Sequence, residues 1–376
     1  MILRCRFRWL LAIGLACFSN GAVFADNTDK SDPKYTLTDP DGKDQDFDLQ
    51  GEFRGTAQLS KFSTGDFGLQ VVSMGGGRFQ GQLLIGGLPG DGWNGFARIR
   101  LIGEREGRKL TLLGGPYAIS LQGMGKRATV RFQAGDIALG ELERVNRVSP
   151  TMGAAPGAGG AMLFSGMPPS EEPQQAPQEN IGTLCWQNAK LTDEGLLLAG
   201  TKTTHVYNDF RLHVEFRTPF MPNARGQARA NSGVYLNGRH EIQILDSFGL
   251  AGAEDEAGAI YKYKKPDLNM AFPPLAWQTY DIRYQAPVFN ARGKKIENAL
   301  ITVEHNGVVV QDEVEVDGPT GAGPEETPIL LPLQLQNHGA PVVFRNIWIA
   351  PINPPAPPPA PAPLCCRGRR CWVVAQ

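Results

Sequence analysis

Between Phe47 and Val148, apolar and polar residues alternate with a period of two over short runs such as FGLQVVSM, RFQGQLLI, GFARIRLIGE, KLTLLGG and ATVRFQAG. That period places successive side chains on opposite faces of a strand. Turn signals (GGG, PGDGWNG, EREG, QGMGKRA) interrupt the runs roughly every ten residues, the rhythm of an antiparallel sandwich or barrel. A second block, residues 183–351, repeats the pattern in FRLHVEFRTP, SGVYLN, HEIQILD, WQTYDIRYQA, ALITVEHNGVVVQ, LPLQLQNHG and VVFRNIWIA. Long segments of helical period are missing from both blocks. The chain is expected to be all-β, with a smaller antiparallel β domain preceding a larger one.

Composition and punctuation divide the 376 residues further. Residues 1–25 read as a secretory signal: Arg4, Arg6 and Arg8 precede the apolar run Trp9 to Phe18, and Ala22-Val23-Phe24-Ala25 offers a cleavage site. The protein is therefore expected to be exported, to the periplasm or beyond the cell, with no transmembrane span once the signal is removed. Residues 26–45 read as a polar leader without packing, and residues 46–149 as the first β domain. Residues 150–182, rich in Gly, Ala, Pro and Gln, lack apolar area and read as a linker. Residues 352–376 form a polyproline spacer and a basic tail. The net charge of -1 excludes a broad nucleic-acid footprint. Cys185 stands alone in the body of the chain, while Cys365, Cys366 and Cys371 crowd the tail without a zinc-site spacing. Oligomeric state is not encoded in any pattern of this kind.

The stretch NSGVYLNGRHEIQILDSFG, Asn231 to Gly249, carries the most chemistry. Glu241 and Gln243, two apart on a strand, share a face, with Ile242 and Ile244 on the other. Asp246 would join the polar face if Leu245 formed a bulge, a device that re-aims side chains beside active sites. In LPLQLQNHG, Gln334, Gln336 and His338 likewise share a face, which suggests a cleft wall and makes His338 a candidate for proton transfer near neutral pH. His240 alternates away from Glu241, and His205, His213 and His305 are expected at the surface. Tyr261 follows the loop AGAEDEAGAI and is open to a place in the core or at a binding surface. Trp277 and Tyr280 are expected in the core. The acidic loop, Glu254 to Glu256, could offer oxygen ligands to a divalent metal such as calcium, although nothing in the sequence requires a metal.

The motifs NSGVYLNGRHEIQILDS, GAIY, WQTYDIRY, LQLQNHG and FRNIWIAP, in that order over residues 183–351, resemble the 3-keto-disaccharide hydrolase domain family. The resemblance implies a concanavalin A-like two-sheet jelly-roll sandwich with one concave sheet. Against that background Glu241-Ile-Gln243-Ile-Leu-Asp246 resembles the E-x-D-x-x-E strand of the sixteenth glycoside hydrolase family, with Gln243 in place of the middle acid. The family implies cleavage of a 3-keto-glycoside: the C3 ketone acidifies the C2 proton, a base removes it, the C1 substituent leaves, and water adds. Glu241 and His338 are the proton-transfer candidates, with Asp246 as a further catalytic carboxylate. Asn231, Gln243, Tyr261 and Gln336 are the substrate-binding candidates. The alternatives are retaining, glucanase-like hydrolysis by Glu241 and Asp246, a non-catalytic lectin-like module, and an interaction scaffold of the cell envelope.

Overall fold

The structure, a computed structural model, describes residues 29–42, 44–60, 63–122, 126–132, 137–166, 185–353, 364–367 and 370–373. The expected signal segment, the second part of the Gly/Ala/Pro-rich stretch and the proline spacer lie outside the described residues. Among the described residues no helix is long and apolar enough to cross a membrane.

Eight antiparallel strands form the N-terminal unit: β1 (Gly51–Ser60), β2 (Ser63–Ser73), β3 (Arg78–Ile85), β4 (Arg98–Glu106), β5 (Lys109–Gly114), β6 (Tyr117–Gln122), β7 (Arg127–Phe132) and β8 (Ile137–Val145). Each pairs with the next, and β8 returns to β1 with Leu142 opposite Gly55. The sheet is thus a closed barrel and has no free edge to cover. The alternation read from the sequence fills its interior: Phe53, Phe67, Leu69, Leu83, Leu101, Leu110, Leu112, Ile119, Val130 and Leu142 form one core. A Cβ on Gly103 would overlap the Thr111 carbonyl, so β4 and β5 approach closely only because that position has no side chain. A short helix, α1 (Gln45–Leu49), precedes β1; Asp44 caps it by accepting from the Asp46 and Phe47 amides, and Leu49 enters the barrel core.

The C-terminal unit contains two larger sheets. Its strands are β9 (Ala161–Phe164), β10 (Trp186–Gln187), β11 (Leu197–Leu198), β12 (Thr201–Val206), β13 (Phe210–Arg217), β14 (Ser232–Leu236), β15 (His240–Ile244) and β16 (Trp277–Gln285). They continue as β17 (Val288–Phe289), β18 (Lys295–Glu297), β19 (Ala299–His305), β20 (Val308–Val316), β21 (Pro332–Asn337) and β22 (Val343–Ala350). One sheet runs β10-β12-β21-β14-β15; the other runs β11-β22-β13-β16-β19-β20, with β9 added on β22. Val234, Leu236, Ile242, Ile244, Leu333 and Leu335 of the first sheet share a core with Val214, Phe216, Tyr280, Ile301, Val303 and Phe344 of the second. Two antiparallel sheets therefore face each other across one apolar layer. His240 enters that layer and meets the Tyr284 hydroxyl at 3.0 Å, on the face away from Glu241 as the alternation requires.

Three expectations are corrected. The stretch read as a linker does not separate the two units over residues 150–166: Met162 and Phe164 of β9 pair with Trp348 and Ile347, and the Gly153 amide donates to buried Glu215. A four-residue apolar run (AMLF) was enough to complete a sheet edge despite its glycine-rich surroundings. The leader is not free of packing, because Tyr35 and Leu37 form a cluster with Phe220 and Leu275, and Leu37 bridges to Phe220. His213 and His305 are fully buried. His213 is held by Asp281 at 2.7 Å and stacks on Trp348, and His305 meets the Gln278 side-chain oxygen at 2.9 Å. Polar partners supplied by other strands made those positions affordable inside.

Candidate functional site

The five-stranded sheet turns one face to the apolar layer, so the alternate residues lie on its other face. The register sets Glu241 of β15 opposite Tyr235 of β14, and Tyr235 opposite Gln334 of β21. One step along, Gln243 lies opposite Gly233, and Gly233 opposite Gln336. This is the polar face anticipated from the alternation, yet it is not open. Glu241, Gln243 and Tyr235 are all nearly fully buried. The chain after the acidic loop runs along the free edge of β15, with the Gln243 amide donating to Ala259 and the Tyr261 amide donating to Glu241. A second loop covers the carboxylate itself: Thr320 accepts from the Glu241 amide, and the Ala322 amide donates to the Tyr235 hydroxyl.

Glu241 is the electrostatic centre of this face. Burial pushes its carboxyl up to about 7, against the opposing pull of the Tyr235 hydroxyl, which donates to Oε2 at 2.7 Å. Burial penalises the charged form, which is why the hydrogen bond only partly offsets the rise. Tyr235 is itself held well above the ordinary phenol range by burial and by the neighbouring carboxylate, so it remains a donor. Two glycines leave room for the carboxylate. A Cβ at Gly233 would overlap Oε1, and a Cβ at Gly321 would overlap both Oε2 and the Tyr235 hydroxyl. Gly321 also has φ +59, a conformation that favours glycine. The same hypothetical Cβ would touch the Tyr261 ring at 3.4 Å, so Tyr261 stands beside the Glu241–Tyr235 pair.

Amide side chains flank the pair. Gln227 accepts from Gln243 at 2.9 Å and from Asn231 at 3.1 Å, and its own amide donates to the Asp255 carbonyl. Gln336 donates weakly toward the Tyr235 hydroxyl at 3.5 Å. The side-chain oxygens of Asn231 and Gln336 are buried without a hydrogen-bond partner. Buried acceptors are normally satisfied, and two orphans on one face are a demand for donors that the protein itself does not supply.

Of the residues read from the sequence, the structure brings together Glu241, Gln243, Asn231, Gln336 and Tyr261. It does not bring Asp246 with them. The β14–β15 ladder continues without a bulge to Ile244 and then stops, and Asp246 accepts from Arg229 Nε at 2.6 Å and from the Phe248 amide. An ion pair, not a re-aimed strand, fixes this carboxylate. His338 lies beyond the end of β21, is exposed, and makes no hydrogen bond or ion pair among the described residues. It stands two strands across and about four residues along from Glu241, a backbone separation on the order of 15 Å, so the two do not form a hydrogen-bonded pair. The acidic loop is internally engaged: Asp255 pairs with Lys262 at 2.8 Å, and Glu256 accepts from the Gly252 and Ala253 amides. Among the described residues no group of three or more His, Cys, Asp or Glu side chains converges as metal ligands would. Tyr280 is core, whereas Trp277 is half-buried between the guanidinium groups of Arg217 and Arg345.

Tyr235 and Gly321 were missed. For Tyr235 the signal was present, since the Asn237-Gly238-Arg239 turn of a tight hairpin places Tyr235 across from Glu241. Gly321 arrives from a loop far along the chain, and no local pattern announces it.

Residues 182–350 match the model of the 3-keto-alpha-glucoside-1,2-lyase-like domain family, and this segment is a domain of that family. Among solved structures, the chain is 28% identical to a provisionally named glycosyl hydrolase from Parabacteroides distasonis ATCC 8503, over 52% of this chain and 84% of that one, with a TM-score of 0.43. A second protein so named from the same organism is 22% identical over 51% of this chain and 99% of that one, with a TM-score of 0.33. A third is 17% identical over 52% and 89%, also with a TM-score of 0.33. No curated protein matches the chain.

Proposed function

We propose that the protein is an exported, glycoside-cleaving enzyme acting on 3-keto-glycosides by elimination and hydration, with Glu241 as the base. The observation that carries this reading is a buried carboxyl poised near 7, held by a phenol and flanked by unsatisfied amide oxygens, inside a domain of the 3-keto-alpha-glucoside-1,2-lyase-like family. A base works best when its pKa lies near the working pH. Glu241 takes the C2 proton, the electron pair forms the C1–C2 double bond conjugated to the C3 ketone, and the C1–O bond breaks. The protonated Glu241, or the Tyr235 hydroxyl beside it, gives a proton to the departing oxygen. Water then adds at C1 while C2 recovers a proton, giving net hydrolysis. Asn231 and Gln336 accept from sugar hydroxyls, and Tyr261 offers a ring face to the C–H surface of the sugar. The loop carrying Thr320 and Gly321 lies over the carboxylate, so substrate enters with that loop displaced. Asp246 has no role in this scheme because Arg229 occupies it, which also weighs against a retaining Glu241–Asp246 pair.

The test is turnover of a 3-keto-glucoside in deuterated water. The expected product carries deuterium at C2 above an enzyme-free control, and Glu241→Gln makes none. Product unlabelled at C2 would overturn elimination in favour of direct hydrolysis. The orphaned acceptors would serve a lectin-like module equally well. Equal affinity for keto and ordinary glycosides with no turnover of either would establish that second reading instead.

A further inference from the structure

We propose a second ligand site, in the crevice where the barrel meets the sandwich, that takes a neutral hydroxylated group such as the edge of a sugar or polyol. The crevice is a cavity of about 80 Å³ with an apolar wall that includes Val72, Phe248 and Leu250, and with Gln80, Gln82, Arg225, Arg229 and Asp246 as its polar lining. Both units contribute: Val72, Gln80 and Gln82 stand on β2 and β3 of the barrel, and the rest follow or precede the Glu241 hairpin of the sandwich. Its residues are separate from the Glu241–Tyr235 pair.

Arg229 is the central observation. It is 6% exposed, and two of its three nitrogens are used: Nε donates to Asp246 at 2.6 Å, and Nη1 donates across the junction to the Ser73 carbonyl at 3.2 Å. Nη2 is buried without a partner, and so is the side-chain oxygen of Gln82 on the opposite wall. One orphaned donor and one orphaned acceptor therefore line one cavity. A hydroxyl satisfies both at once, accepting from Arg229 and donating to Gln82. A carboxylate or phosphate fits poorly, because Asp246 already neutralises Arg229, the Gln82 oxygen would face another acceptor, and the Nη atoms of Arg225, the second guanidinium of the lining, are held by the Pro222, Ala224 and Met74 carbonyls. The apolar wall suits the C–H face that accompanies hydroxyls on a sugar ring. The volume admits a hydroxymethyl group or a ring edge, not a whole disaccharide, so the remainder of the ligand would extend past Leu250, which is partly exposed.

The experiment uses the full chain carrying Glu241→Gln together with Asn231→Ala, Gln336→Ala and Tyr261→Ala, so that neither turnover nor sugar held at the first site decides the outcome. Binding of methyl α-D-glucopyranoside is followed by saturation-transfer NMR. In that background Gln82→Leu, which removes an amide oxygen that has no internal partner, should weaken binding at least fivefold, and Leu250→Trp should block it. Sodium acetate should not displace the sugar. Unchanged affinity in both variants, or no sugar binding at all, overturns the proposal, the latter meaning that water alone fills the crevice. Displacement by acetate overturns the assignment to a neutral ligand. Matched thermal melts of both variants exclude unfolding as the cause of a loss. Because the background lacks Glu241, failure here leaves the elimination reading untouched, and failure of elimination leaves this site standing.

Discussion

The barrel and the sandwich bury side chains by opposite rules. Inside the barrel the buried face is apolar from Phe53 to Leu142, and the polar alternates point outward. The sandwich also has an apolar layer, but the far face of its five-stranded sheet is polar and buried as well, under loops that carry Ala259, Thr320 and Gly321. A closed barrel needs no such covering, since every strand is paired and one face suffices for the core. Burying Glu241, Gln243, Asn231 and Gln336 costs desolvation that hydrogen bonds recover only in part. Such a cost is what a functional face shows and a purely structural one avoids. The teaching is that the barrel keeps its interior apolar and pairs its buried carboxylate, Glu52, with Arg147 and Gln70, while the sandwich holds a titrating carboxyl on a buried sheet face with no cation beside it among the described residues.

The largest expected effect separates the two regions by activity. Glu241→Gln should lower kcat on a 3-keto-glucoside by about 10²–10⁴-fold, the usual contribution of a positioned base, without unfolding the protein. Leu112→Ala in the barrel should do the reverse. It should cost about 2–5 kcal/mol in denaturant unfolding while activity per folded molecule stays unchanged. If the barrel substitution abolished turnover in protein that remained folded, the division of labour would be wrong.

A smaller effect concerns pH. The Glu241 carboxyl sits at about 7 in the folded protein and at the ordinary 4.5 when exposed. Between those values the folded state holds a proton that the unfolded state has released, so stability falls as pH rises from 4.5 to 7 and is level above. The loss is at most about 3 kcal/mol. Burial works against the charged form of His213, but hydrogen bonds to Asp281 and Glu215 outweigh it and raise its pKa. Its stabilisation is full below 6.5 and is lost as pH climbs through the raised value, so it slopes the same way at higher pH. Urea titrations of wild type and Glu241→Gln across pH 4 to 9 isolate the first contribution. The variant should gain on the wild type up to pH 7 and no further; a constant difference would mean that Glu241 titrates normally.

How far the sequence reached follows the same contrast. Period-two alternation identified the barrel strands almost run for run, because the barrel core is decided by which face is apolar. Closure was not legible, since it depends on β8 meeting β1 across ninety residues of chain, and alternation alone allows a sandwich as readily. At the site, Glu241 and Gln243 were read correctly as sharing a face, and Gln336 and Asn231 were placed beside them. Asp246 and His338 failed for one reason. Each lies just past a strand end, at Ile244 and Asn337, where the period stops governing direction and a local partner such as Arg229 takes over. The stretch 150–166 failed because composition reports average packing, and one apolar run among glycines was sufficient for β9.

The finest test is Tyr235→Phe. The phenol oxygen accepts from the Ala322 amide and donates to Glu241 Oε2, and that donation is what pulls the Glu241 carboxyl down against the effect of burial. Removing it leaves a buried carboxylate without its donor, so the charged form becomes harder to reach. The rate should rise with pH through about 7 in the wild type, as the base loses its proton. In the phenylalanine variant the same rise should move alkaline by about one unit, which is about a fivefold loss at neutral pH that largely recovers by pH 9. A Tyr235 that only packed the sheet would lower the plateau and leave the midpoint where it was. The pH–rate profile of kcat/KM therefore distinguishes a residue that tunes the base from one that merely fills the space beside it.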